Sequence, residues 1–169
     1  MKLNLFREIY DNQEYEKFIK DVEKLFRMSP EYKIWLSTVD RSVCAATGLS
    51  TNDGVHIEVH HYGRTLYDIC KNVVDYFINN QLPLNSIYLT MVIFDLHMNK
   101  CVSYIPLLHC IHQMYHDDPI NTINKYPLIK EGIKVGYNSD EIILEEYKYL
   151  LLNCFKNKSI FNEFNEKGN

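Results

Sequence analysis

The 169-residue chain is poor in the features that several protein classes require. Its most apolar stretch, Ile87 to Met98, covers 12 residues and is broken by Thr90, Asp95 and His97. A bilayer-crossing helix needs about 20 apolar residues, so no membrane span is expected. The opening MKLNLFREIY has neither a long apolar run nor a small-residue cleavage site, which argues against a secretory signal. No CxxC pair occurs among Cys44, Cys70, Cys101, Cys110 and Cys154, and an odd number of cysteines does not make a complete disulfide framework. Reduced thiols in a cytoplasmic setting are expected. Positive charge is not in surplus, with 18 Lys+Arg against 22 Asp+Glu and a net charge of −4. That excludes a protein held to nucleic acid by bulk charge alone; any such binding must be local. Repeats, low-complexity tracts and Pro/Gly/Ser linkers are also missing, so residues 1–169 read as a single domain.

What is present is mostly helical patterning. Tyr15, Phe18, Ile19, Val22, Leu25 and Phe26 recur at helical spacing between Gln13 and Met28. Ser29-Pro30-Glu31 supplies a cap, a proline for the first turn and an early acid for a second helix through Trp35 toward Asp40. The stretch 44–54 reads as a loop. Val55, Ile57 and Val59 alternate with His56, Glu58 and His60, the period of a strand. A helix is expected over 65–80. Another is preferred over 87–99, where β-branched and aromatic residues keep a strand open. Residues 100–105 form a strand candidate, Pro106 a helix start for 107–116, and 119–138 an irregular stretch. Ser139-Asp140-Glu141 starts a last helix, and the polar tail from Lys156 is expected to fray.

All seven histidines lie between His56 and His116, a window where even scatter would place about 2.5. His112 and His116 sit at i and i+4 on the predicted helix, so both rings leave from one face and can share an ion. Histidines at this spacing also occur without metal. His60 and His61 end the strand, where a turn lets one face the helix and the other a neighbouring space. His97 and His109 fit helix-capping or helix-lining roles, with an approach to the metal or substrate as the alternative, and His56 an exposed one.

The strings Ile57-Glu58-Val59-His60-His61 and Val102-Ser103-Tyr104-Ile105-Pro106-Leu107, running into His112 and His116, resemble the HNH (ββα-metal, His-Me finger) endonucleases. They are similar to the motifs of colicin-type DNase domains, and the longer strings IEVHHYGRTLYDIC and LHMNKCVSYIPLLHCIHQMYH to phage proteins considered HNH-like. The resemblance covers roughly residues 55–118, without the terminal helices, and implies a ββα-metal-like core there with a helical insertion at 65–99; with the helices read at both ends, the expected fold is α+β and mostly helical.

Carried over by position, the resemblance implies that His60, His112 and His116 bind a divalent metal ion (Mg, Mn, Zn or Ni) and that His61 is the general base. An imidazole of ordinary pKa about 6.5 suits deprotonation of water, and a cation with an open position stabilises a phosphoryl group. Glu58, two residues before His60, is placed to orient a ligand imidazole or an arginine. Arg64 is placed to meet the scissile phosphate or a surface carboxylate. Ser103 stands where the family carries an asparagine that fixes the base. The expectation is therefore a phage-encoded endonuclease acting on duplex DNA in the host cytoplasm. The alternative is a degenerate relative that binds a host or viral protein. Three basic residues against six acids over 55–118 make a thin cationic footprint, with Lys125, Lys130 and Lys134 as a further patch or merely a solvated loop.

Overall fold

Asp11 opens the first helix, accepting from the Glu14 N–H at 2.8 Å and so pairing one of the donors that a helix start leaves free. In the computed structural model, which describes residues 8–156, this helix is α1 (Asn12–Met28). Ser29 ends it and caps α2 (Pro30–Thr38), accepting from the Tyr32 N–H at 3.1 Å. Thr65 and Asp68 form a reciprocal capping box at the head of α3 (Leu66–Asn79). Asn85 accepts from the N–H groups of Ile87 and Tyr88 to start α4 (Ser86–Met98). Despite its β-branched content, α4 is a helix because Leu89, Val92, Ile93, Leu96 and His97 are buried along one broad face, with Ile87, Met91 and Met98 exposed opposite. Tertiary burial outweighs a weak local preference.

β1 (Ile57–His61) and β2 (Tyr104–Leu108) form a two-stranded antiparallel sheet with His60 opposite Ile105 and His61 opposite Tyr104. α5 (His109–Asp117) leaves β2 directly. Pro106 lies inside β2, not at a helix start as the sequence reading had it, and its carbonyl accepts from the Ala45 N–H. A short helix, α6 (Pro119–Lys125), occupies part of the stretch expected to be irregular, with Asp118 as cap and Pro119 in its first turn. α7 (Asp140–Lys156) closes the described chain, and the expectation for the tail beyond it falls outside the described residues. The architecture is thus α+β and mostly helical: a ββα unit with α3 and α4 inserted between its strands.

Two apolar clusters follow. α1, α3, α4 and α7 enclose the larger one, with Phe26, Phe77, Ile69, Leu89 and Ile93 almost wholly buried. The smaller gathers Ile57, Ile105, Leu107, Ile111 and Tyr115 with Cys44 and Ile129. The segment after α6 is strapped along β2. Tyr104 and Lys134 exchange backbone hydrogen bonds, and Ser103 Oγ accepts from the Gly136 N–H at 2.7 Å. A Cβ on Gly136 would lie 2.8 Å from Cys101 C and Val102 N, closer than carbon tolerates against backbone. Gly136→Ala is therefore expected to cost about 1–3 kcal/mol, read from urea denaturation. An unchanged midpoint would refute the close approach.

Candidate metal centre

His60 points from the end of β1 toward α5, where His112 and His116 share a face one turn apart. Its ring centroid lies 5.0 Å from that of His112 and 4.7 Å from that of His116, and Tyr115 packs on it at 4.7 Å. One ligand nitrogen from each of the three falls within 4.8 Å of the others. His112 and His116 present their Nε2 atoms to each other at 3.1 Å. That spacing already suits donors bound at about 2.0–2.1 Å to one ion.

Glu58 sets the tautomer. Its Oε2 accepts from His112 Nδ1 at 2.6 Å, which leaves the lone pair of a neutral His112 on Nε2, facing His116. Its Oε1 accepts from His109 Nδ1 at 2.9 Å, so His109 supports the carboxylate from the exposed side. Both bonds hold the Glu58 carboxyl below the usual range, that from His112 most. His60 is pushed down to about 4, first by burial and then by the charges its two neighbours would carry. Among the described residues, none hydrogen-bonds to its ring, and Nδ1 is buried without a partner. An orphaned neutral imidazole costs free energy unless something takes its lone pair. A cation would do so, and the donor set fits one.

The other expected site residues are engaged elsewhere. His61 lines the same small cavity as His60, His112 and His116, together with Arg27 and Thr65, and its Nε2 lies 3.1 Å from His97 Nε2. His97 Nδ1 donates to the Ile93 carbonyl at 2.6 Å, so its Nε2 can only accept, and His61 is the donor. Trp35 stacks on His61 and meets His97 edge-on. Burial drives His61 well below its ordinary value and His97 to about 4. The pairing of His97 with His61 is not expected from the sequence, which places His97 on a helix face or near the metal or substrate; the one signal for it is a histidine amid the most apolar stretch. Arg64 forms an ion pair with Asp140 and donates to the Cys101 carbonyl at 2.9 Å, tying the turn after β1 to the start of α7. Ser103 holds Gly136, not a histidine. His56 is exposed. Cys44, Cys70, Cys101 and Cys110 are free thiols.

Compared with known proteins, residues 2–164 match the family model of the bacteriophage G278-like virion proteins. The chain belongs to that family. No curated protein and no solved structure matches. Membership of the G278-like virion proteins overturns the expectation of a DNA-hydrolysing endonuclease and points to a component of the phage particle. Arg64 and Ser103 each hold a neighbouring segment, Arg64 the start of α7 and Ser103 the strap at Gly136. No helix among the described residues is long and apolar enough to cross a membrane.

Proposed function

We propose that this G278-like chain is a structural component of the phage particle, and that His60, His112 and His116 hold a divalent transition-metal ion that fastens β1 to α5. Family membership over residues 2–164 supports the particle role. The observation that carries the metal centre is the unpartnered His60 ring beside two Nε2 atoms already at ligand spacing. Three imidazoles without a carboxylate among them favour Zn²⁺ or Ni²⁺ over Mg²⁺ or Mn²⁺, which prefer oxygen. Such an ion supplies a cross-link whose binding free energy adds to the stability of the fold. Within the chain, β1 presents His60, α5 presents the other two, and Glu58 keeps His112 in the ligand tautomer. A ββα unit this small, with only a two-stranded sheet, gains most from a clamp of that kind.

Mass spectrometry of purified particles tests the first half. The chain is expected at a fixed copy number per particle that survives density-gradient purification. Its presence in the infected lysate together with absence from purified particles would overturn the particle role.

A further inference from the structure

On the other side of the His61–His97 pair from the metal centre, a cavity of about 560 Å³ opens between α2, α4 and the strap at 133–137. That volume is in the range of small-molecule sites. Its inner wall is Trp35, His97 and Tyr104, with Trp35 and Tyr104 edge-to-face at 6.0 Å. His97 spends Nδ1 on Ile93 and Nε2 on His61, so its ring has no donor or acceptor left for a ligand. His97 therefore offers a ligand no polar atom, and the deep end is largely aromatic.

The rim differs in kind. Lys100 and Lys134 are the only formally charged side chains in the lining, and both are exposed. Among the described residues neither closes a salt bridge. Lys100 Nζ sits 5.3 Å above the Tyr137 ring, and Lys134 feels the Asp40 carboxylate only at longer range. The walls are pre-formed: the Ser103–Gly136 and Tyr104–Lys134 hydrogen bonds hold the strap in place.

We propose that this cavity binds an amphiphilic organic anion, its apolar body against Trp35 and Tyr104 and its charged end between Lys100 and Lys134. The site needs no metal, so its fate is independent of the centre at His60.

Trp35 is the only tryptophan in the chain and lines the cavity, so its emission reports occupancy. The full-length protein is titrated with dodecanoate, with 8-anilinonaphthalene-1-sulfonate and with dodecyltrimethylammonium, all below their aggregation thresholds. Either anion is expected to change Trp35 emission saturably, and the cation to bind at least roughly tenfold more weakly. Lys100→Gln with Lys134→Gln, both at exposed positions, is expected to weaken the anions by roughly tenfold. Val39→Phe, which fills the cavity while keeping both lysines, should remove the response with the circular dichroism unchanged. The proposal fails if neither anion moves Trp35 emission up to about 1 mM. It fails equally if the cation binds as well as the anions, or if the lysine double variant binds like wild type.

Discussion

Zinc is expected to stabilise the unaltered chain, and replacing His112 with alanine is expected to abolish that gain. An ion that binds only the folded state adds about 2.7 kcal/mol when present at a hundredfold excess over its dissociation constant. For a chain of this length each kcal/mol moves the melting temperature by about 2–4 °C, so zinc should raise it by roughly 5–10 °C. His112→Ala removes a ligand from a set of three, and His116→Ala another, so either variant should show almost none of that rise. Glu58→Gln keeps all three ligands but weakens the acceptor that fixes His112, and should lower affinity by roughly 10–100-fold while leaving some of the gain. Differential scanning fluorimetry with and without zinc, after chelator treatment, separates these outcomes. A full gain in His112→Ala would place the ion elsewhere, for example on the exposed His56 and His109.

Acidification of the metal-free protein is the second large effect. His97 binds a proton near pH 6.5 when unfolded but only near 4 when folded, because burial denies the charged ring its water. Between those values the unfolded chain holds the extra proton, so stability falls as pH falls. The His97 share is intact well above pH 6.5, about 2 kcal/mol smaller by pH 5 and about 3 kcal/mol smaller by pH 4, and His60 and His61, lowered by burial as well, add loss in the same direction. Carboxylates held low by hydrogen bonds, such as Asp68 under Thr65, add their own loss only below their ordinary range. Urea denaturation at pH 7, 6, 5 and 4 in the presence of chelator measures the profile. A flat stability between pH 7 and 5 would show that the ring takes up its proton in the folded state without cost.

The helices were legible because each is written locally: a cap, an early acid or proline, and an apolar stripe, as at Ser29-Pro30-Glu31 and Thr65 to Asp68. The convergence of His60 with His112 and His116 was legible for a related reason. The i, i+4 pair fixes two ligands on one helix face, and a strand end supplies the third. Pro106 misled, because a proline reads as a helix opener until a partner strand is known, and inside β2 it needs only its carbonyl. What His61 and Arg64 do depended on partners 36 and 76 positions away. No spacing rule within the chain announces that His97 will meet His61, or that Asp140 will meet Arg64. The role of Ser103 was hidden likewise, since it is read from Gly136 approaching the backbone of Cys101 and Val102. Motif likeness therefore anticipated that His60, His112 and His116 converge, while the function drawn from it, DNA hydrolysis, is overturned by the match to a virion protein family.

Zinc-edge X-ray absorption on protein purified without a histidine tag and loaded with one equivalent of zinc tests the centre most directly. The account predicts a first shell containing three imidazole nitrogens at about 2.0–2.1 Å, with their outer-ring scattering, reduced by one ring in His60→Ala. A shell containing sulfur at about 2.3 Å, or one unchanged in His60→Ala, would contradict it.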